Sequence, residues 1–168
     1  MRAAHADEKR LGLLDLIAFG GLALPLAALN LPFYVYLPTF YARDLGVELG
    51  TVGIILLVAR VLDVFTDPIV GTLGDRTHTR FGRRRPWVLV SLPLLLFASW
   101  RLFLPPDDAG GFYLFVWSSI AYLAWTMILL AYSAWGAELS SGYNERSRIF
   151  GARESFVILG ILTAAALP

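Results

Sequence analysis

The chain has 168 residues, of which 57% are hydrophobic and 16% charged, with 14 Lys and Arg against 13 Asp and Glu. Soluble domains average about 45–50% apolar and about 25% charged residues, so this composition excludes a soluble enzyme, a nucleic-acid-binding module and a disordered chain. A mean hydropathy of +0.64 indicates an all-α polytopic membrane protein.

Apolar runs long enough to cross a bilayer organise the chain, because a spanning helix needs about 20 mostly apolar residues. They predict helices over residues 12–41, 48–74, 86–104, 110–138 and 152–168. The charge-free part of the last, Ser155–Pro168, is too short to cross a hydrocarbon core of about 30 Å. We therefore expect four complete transmembrane helices and a truncated fifth, in a protein whose carboxy-terminal half is missing. A natural short chain with a re-entrant tail is the alternative.

The distribution of basic residues predicts the orientation. Eleven of the 14 Lys and Arg precede the first helix or lie between helices two and three or four and five. Only Arg43 and Arg101 lie on the opposite side, and Arg60 lies within the membrane. Since Lys and Arg collect in short cytoplasmic loops, the amino terminus is predicted to be cytoplasmic, in a plasma membrane of the bacterial inner-membrane type.

The second predicted helix carries three charged residues on one face. Arg60, Asp63 and Asp67 are spaced i, i+3 and i+7, which places them within about 60° of one another. Together they disfavour insertion of the helix into the bilayer by about 8–10 kcal/mol. This exceeds the favourable contribution of the apolar residues of the helix. This face must therefore meet other helices or a water-filled cavity.

Two interpretations of this face compete. In the first, Arg60 neutralises Asp63 in an internal ion pair that only holds helices together. In the second, which we favour, Asp63 and Asp67 form a cation site that takes Na⁺ or shares a proton, because intramembrane ionisable residues mark ion and substrate pathways. No other metal site is expected from the sequence.

Polar side chains on two further helices suit a neutral polyol. Asn30 and Tyr34 share a region of the first helix, and Tyr122 and Thr126 share a face of the fourth. Hydroxyl groups, an amide and aromatic faces offer hydrogen bonds and stacking to such a solute. We assign these four residues and Arg60 to a substrate site. Ordinary interhelical hydrogen bonding with an aromatic belt is the alternative.

A longer motif begins on the acidic face of helix two and continues into the arginine-rich loop that follows it. A second motif block covers the end of helix four and the residues after it. The first block runs from Asp63 through Asp67-Pro68 to Arg85-Pro86, and the second covers residues 134–139 and 143–154. Together they closely resemble the signature of the glycoside–pentoside–hexuronide:cation symporters of the major facilitator superfamily.

The resemblance implies part of an amino-terminal six-helix bundle, formed by residues 1–168. It also implies cation-coupled symport of a sugar or related organic solute by alternating access, with no enzymatic chemistry. Asp63 and Asp67 match the aspartates that bind the coupling ion, H⁺ or Na⁺, and no other cofactor is implied. Trp135 and Arg153 match sugar-site positions. The expected partners are a small-molecule solute, membrane lipid and the missing half of the protein, and not nucleic acid.

The resemblance also implies a cytoplasmic gate. Its residues are Gly71, Asp75, Arg76, Gly82, Arg83, Arg84, Glu138, Arg146 and Arg148. The sequence departs from melibiose permease at two galactoside-binding aspartates, where residues 27–28 and about 131 are uncharged, so galactoside specificity does not transfer. A helix-four threonine associated with Na⁺ falls near Ile128, so Na⁺ coupling does not transfer either. Two alternatives stay open: a lysolipid symporter, which shares the Asp-Pro signature, and a non-transporting truncated membrane protein in which Arg60–Asp63 is structural.

Overall fold

The computed structural model describes residues 11–77, 85–140 and 142–166, and these contain helices and no strand. The all-α prediction is thus confirmed. The elements are α1 (Leu13–Gly21), α2 (Ala23–Leu31), a π-helical turn (Pro32–Tyr36), α3 (Leu37–Arg43), α4 (Leu49–Arg76), α5 (Arg85–Phe103), α6 (Gly111–Glu138) and α7 (Tyr143–Ala166).

Five segments are long and apolar enough to cross a membrane. The elements from α1 to α3 form the first of them, Leu13–Arg43, and α4 to α7 supply the others. The first four agree with the predicted helices to within a few residues. The predicted start of the fifth at residue 152 is wrong by nine residues, because the charged stretch that begins at Tyr143 is helical too. With 24 residues, α7 is about 36 Å long and can span a bilayer.

The π-helical turn interrupts the first membrane segment where a proline enters it. Pro32 has no N–H to donate, and its ring crowds the carbonyl group of Ala28 one turn earlier. The helix widens over Pro32–Tyr36 and then resumes as α3. Turns of this kind are frequent at functional sites.

The chain divides into two compact units. The first, which we call the α7 unit, contains the described residues up to Pro32 and those from Gly136 onward. Here α7 packs closely on α1 and α2: a Cβ atom on Gly160 would meet the Leu24 carbonyl oxygen and would lie 2.9 Å from the Ala27 Cβ. Such close backbone approach stabilises helix pairs in lipid, where the hydrophobic effect does not drive association.

The second unit, which we call the α4 unit, extends from Phe33 to Trp135. Near the starts of α4 and α6, a Cβ atom on Gly111 would lie 2.8 Å from the Ile55 Cδ1. Near their ends, Gly74 and Ala131 line one small cavity together with Trp87 at the start of α5. Helices α4 and α6 therefore run in the same direction, and α5 runs against them.

The α4 unit has a well-defined core. Its largest fully buried side chains are Leu37, Tyr41, Val52, Ser91, Leu95, Leu102, Leu114, Ser118, Ile128 and Tyr132. On α4 itself the core face is narrow, and large apolar side chains such as Ile54, Val61 and Phe65 are exposed. This is the pattern of a helix that faces lipid or further transmembrane helices over much of its surface.

Candidate functional site

The charged face of α4 points into the α4 unit at Asp63. This carboxylate is 5% exposed, although it lies near the middle of a 28-residue membrane-length helix. A buried carboxylate in this setting needs hydrogen bonds or a counter-charge. The structure supplies both.

Arg60 supplies the counter-charge from the preceding turn of the same helix. Its Nη1 donates to the Asp63 Oδ2 at 3.1 Å, and its side chain is 51% exposed. The guanidinium carbon also lies 5.5 Å from the centroid of the Tyr122 ring on α6. Arg60 therefore connects the buried acid to the exposed side of the helix.

Thr126 supplies the second hydrogen bond from α6. Its buried hydroxyl donates to the Asp63 Oδ1 at 3.0 Å. Both carboxylate oxygens of Asp63 thus accept a hydrogen bond, one from the Arg60 guanidinium on α4 and the other from the neutral Thr126 hydroxyl on α6. The sequence placed Thr126 among the substrate residues, and the structure places it on the candidate cation-binding carboxylate.

Asp67 follows one turn after Asp63 and has different surroundings. The residue is partly exposed, while its Oδ1 is shielded from solvent and has no hydrogen-bond partner among the residues that the structure describes. A shielded carboxylate oxygen with an unused lone pair can accept a proton or coordinate a cation. Asp67 is therefore the open acceptor of this face.

The charges of the face do not balance. Arg60 contributes one positive charge, and Asp63 and Asp67 contribute two negative charges when ionised, so one monovalent cation would make the face neutral. Within the described part of the chain there is no cluster of three or more His, Cys, Asp or Glu residues. A bound ion would be held here by two carboxylates and neutral oxygens.

The remaining substrate-site residues fall into both units. In the α4 unit, Tyr34 is 58% exposed in the π-helical turn, and Trp135 is partly buried on α6. Asn30 and Arg153 lie in the α7 unit and are partly buried as well. The structure brings Arg60, Tyr122 and Thr126 together around Asp63. The substrate-binding roles of all seven residues stay predictions.

The predicted gate residues of α4 lie towards its end. Asp75 and Arg76 are exposed in the last turn, and both make side-chain interactions. Gly71 presents an open surface, since a Cβ atom there would meet no described atom within 4 Å. The other predicted gate residues of this region, Gly82, Arg83 and Arg84, lie outside the described residues.

The predicted gate residues after α6 make local contacts in the α7 unit. Arg146 donates from Nε to the Ser140 carbonyl at 2.8 Å and from Nη2 to the Ala137 carbonyl at 3.1 Å. It therefore satisfies carbonyl groups at the end of α6, where a helix has no donors of its own. Glu138 is exposed and makes interactions of its own.

Arg148 belongs to a second buried charge pair, which the sequence did not single out. Its Nη1 lies 2.8 and 2.9 Å from the two carboxylate oxygens of Glu145, and Glu145 is 5% exposed. The Leu11 N–H donates to the same carboxylate at 3.0 Å. The sequence pattern that could have revealed this pair is a glutamate in the first turn of a helix, followed by an arginine three residues later.

Comparison with known proteins places these features in context. The sequence model of a family described as "MFS/sugar transport protein" matches residues 17–168. An uncharacterized symporter from Synechocystis is 35% identical over 159 residues, which cover 84% of this chain and 29% of the relative. The isoprimeverose transporter of Lactiplantibacillus pentosus is 32% identical over 151 residues, covering 84% of this chain and 31% of the relative.

A third relative belongs to another substrate class by name. The sodium-dependent lysophosphatidylcholine symporter 1 of Mus musculus is 30% identical over 159 residues, covering 89% of this chain and 29% of the relative. The chain thus spans less than a third of the length of these three relatives.

Proposed function

This chain belongs to the MFS/sugar transport protein family, and from that membership we propose that it forms the amino-terminal part of a cation-coupled symporter for a sugar or related organic solute. The family match and the relatives named as symporters and transporters support transport rather than enzymatic catalysis. Its five membrane-length helices agree with a place in the membrane. In this proposal, residues 1–168 contribute to the first helical bundle of the carrier.

The observation that carries the proposal is the unequal state of two acids on one face of α4. Asp63 is buried and fully hydrogen-bonded, whereas the described part of the chain offers no partner to a shielded oxygen of Asp67. A purely structural ion pair requires only Arg60 and Asp63. The second carboxylate gives the face a net charge that a proton or Na⁺ would neutralise.

In the proposed cycle, the coupling cation enters beside Asp67 and is shared with Asp63. The Thr126 hydroxyl can rotate and can accept as well as donate, so it can serve a bound Na⁺ as readily as it serves the carboxylate. Arg60 is half-exposed and can move away from Asp63 once the bound cation supplies the counter-charge of the buried carboxylate. Neutralisation of the face then permits the helices to rearrange around the solute near the middle of the bilayer.

We assign solute-binding roles to polar and aromatic side chains of each unit, Asn30 and Arg153 being those of the α7 unit. The candidates are Arg60, Tyr122, Thr126, Tyr34, Asn30, Trp135 and Arg153. Aromatic faces next to hydroxyl and amide groups are suited to a sugar ring, which has an apolar face and a hydroxyl edge. The isoprimeverose transporter among the relatives supports a glycoside as substrate.

We further propose that the basic loops face the cytoplasm, at the bacterial inner membrane, and that they close the inner side of the carrier. Gly71, Asp75 and Arg76 would form the α4 side of this gate, together with Gly82, Arg83 and Arg84. We assign gate roles to Glu138, Arg146 and Arg148 of the α7 unit as well. The exposed surface at Gly71 leaves room for a further helix to approach, which is consistent with a gate completed by other parts of the carrier.

A lysolipid is the second candidate substrate. The observation that favours it is the 30% identity to a lysophosphatidylcholine symporter. Uptake of labelled glycosides and labelled lysophosphatidylcholine by the same vesicles distinguishes the two classes. We expect the glycoside to be accumulated, and accumulation of the lysolipid alone would replace the first candidate by the second.

The proposal is tested by Asp67→Asn in the complete carrier. We expect the variant to be inserted in the membrane at the wild-type level and to lose concentrative uptake, because the neutral amide removes the net charge that recruits the cation. Asp107→Asn is the matched control, since Asp107 is an exposed loop residue of the same unit. Uphill uptake by Asp67→Asn equal to that of the control would overturn the coupling role.

A further inference from the structure

The end of α5 and the start of α6 hold a cationic group that the proposed transport cycle does not use. Arg101 lies in the last turn of α5. Its guanidinium carbon is 5.4 Å from the ring centroids of both Tyr113 and Trp117, which are one turn apart on α6. The Tyr113 hydroxyl donates to the Arg101 carbonyl at 2.9 Å. The two helix ends are thereby tied together, and two aromatic rings hold the guanidinium in place.

This guanidinium has unused hydrogen-bonding capacity. Its Nε is shielded from solvent and has no hydrogen-bond partner among the described residues. No ion pair within the described residues involves Arg101, although Asp107 and Asp108 follow in the exposed loop. Aromatic rings attract a cation through their faces, so they do not satisfy the N–H groups at the edge of the guanidinium. The side chain as a whole is partly exposed, so guanidinium N–H groups other than the shielded Nε–H are the donors that match the oxygens of a phosphate group.

The position of Arg101 along the helix indicates where such a group would come from. The membrane-length segment Pro86–Phe103 ends two residues after Arg101, which is about 3 Å along the helix axis. In a bilayer spanned by this segment, Arg101 would lie near the level at which hydrocarbon gives way to lipid headgroups. Leu96, Phe97 and Trp100, in the preceding turns, are 57%, 47% and 55% exposed. A phospholipid offers both a phosphodiester for the guanidinium and acyl chains for these apolar side chains.

We propose that Arg101, framed by Tyr113 and Trp117, binds the phosphodiester group of a membrane phospholipid whose acyl chain lies along Leu96, Phe97 and Trp100. The N–H groups of the guanidinium donate to the phosphate oxygens, and the rings keep its plane fixed. The Tyr113 hydrogen bond keeps α5 and α6 in the arrangement that presents the site. The bound lipid anchors the loop between α5 and α6 to the membrane surface.

The site is tested by native mass spectrometry of the complete protein in detergent, titrated with phosphatidylglycerol or with diacylglycerol of the same acyl chains. We expect Arg101→Gln to weaken phosphatidylglycerol binding by at least about five-fold, because charge-assisted hydrogen bonds to the phosphate are lost. Diacylglycerol binding should not change. Arg43→Gln is the matched control, because Arg43 is an exposed cation in the last turn of α3, and it should bind phosphatidylglycerol as the wild type does.

Several outcomes would overturn the proposal. Equal phosphatidylglycerol binding by the wild type and Arg101→Gln would do so, as would an equal loss in Arg43→Gln, which would indicate general surface attraction. Displacement of the lipid by millimolar inorganic phosphate would assign the site to a free anion. If Arg101→Gln does not fold, the wild type decides: phosphatidylglycerol binding must weaken with ionic strength while diacylglycerol binding does not, and salt-independent binding refutes the site.

Discussion

Two arginine–carboxylate pairs in this chain have the same spacing and nearly the same exposure, yet they differ in construction. In the α4 unit Arg60 is 51% and Asp63 4% exposed at the side chain, and in the α7 unit Arg148 is 48% and Glu145 6% exposed. Both pairs are spaced i, i+3. Spacing and burial alone therefore do not distinguish a structural pair from a functional one.

The order of the two residues along the helix separates the pairs. Glu145 lies in the first turn of α7 and precedes its arginine, so the partial positive charge at the helix amino terminus also stabilises it. Asp63 follows its arginine near the middle of α4, where the helix dipole contributes little. The acid of the α4 unit therefore depends more on its side-chain partners.

The hydrogen-bond partner that each acid has besides its arginine separates them further. Glu145 accepts from the backbone N–H of Leu11, which only donates and is fixed by the chain. Asp63 accepts from the Thr126 hydroxyl, which rotates and can exchange donation for acceptance. The comparison teaches that the α7 pair is built as a fixed joint, while the α4 pair is built from partners that can change.

The largest expected effect is on concentrative uptake. Asp63→Asn should abolish accumulation of the solute, because a single monovalent cation crossing a potential of ~150 mV supplies about 3.5 kcal/mol, or a few-hundred-fold gradient. Glu145→Gln should keep the accumulation ratio per inserted molecule. Labelled-solute uptake in vesicles, normalised to folded protein, measures both. An equal loss of accumulation in the two variants would end the distinction between them.

The next largest effect is on stability, and here we expect the substitution in the α7 unit to have the larger effect. Glu145→Gln should lower the free energy of unfolding by about 1–3 kcal/mol, because its buried hydrogen bonds to Arg148 and Leu11 lose their ionic character. Thermal unfolding in detergent, followed by circular dichroism, measures the change. An unchanged unfolding midpoint would show that the α7 pair is not a joint.

Substitutions of Thr126 test the role of the α4 pair through the apparent affinity for the coupling cation. Thr126→Val removes the hydroxyl on Asp63 and should weaken the apparent affinity for the coupling cation by about ten-fold, equivalent to about 1.4 kcal/mol. Thr126→Ser keeps the hydroxyl and should stay close to the wild type. Thr72→Val is the control, because the exposed Thr72 hydroxyl donates only to the Ile69 carbonyl of its own helix. Cation dependence of uptake that is identical in all three variants would remove Thr126 from the site.

The smallest effect is expected at a pair on α7 whose carboxylate is exposed. Glu154 is 61% exposed and lies 3.9 Å from the Arg153 Nε, and surface pairs of this kind contribute little. Glu154→Gln should therefore change the free energy of unfolding by less than about 0.5 kcal/mol. A loss as large as that of Glu145→Gln, in the same unfolding experiment, would show that burial is not what makes the α7 pair stabilising.

The membrane segments were predictable because bilayer thickness sets their length, and the apolar runs record that length directly. The start of α7 was not predictable, because charged residues at a membrane surface occur in helices and in loops. Composition alone does not distinguish the two. The Glu145–Arg148 pair contributes to the stability of the helix that begins at Tyr143. The i, i+3 spacing of the pair can be recognised in the sequence only if a helix is already assumed there. The family resemblance was predictable from two motif blocks and is confirmed by the match over residues 17–168.

The site was predictable only within one helix. Helical periodicity alone places Arg60 next to Asp63, and the structure confirms that contact. The contact between Asp63 and Thr126 depends on the rotation and axial register of α6 against α4. Those are fixed by packing along both helices, for instance where Ile55 approaches Gly111, and no local pattern in the sequence encodes them.

Pro68, which lies inside the continuous helix α4 immediately after Asp67, adds a chemical asymmetry to the acidic face. Because proline has no N–H, the Val64 carbonyl one turn earlier has no donor from the usual position in its own helix. That carbonyl oxygen is a neutral hydrogen-bond acceptor that does not titrate, in the same turn as the Asp67 carboxylate, which can be protonated. Pro68→Ala would restore the missing donor and occupy this acceptor while every acidic side chain stayed in place.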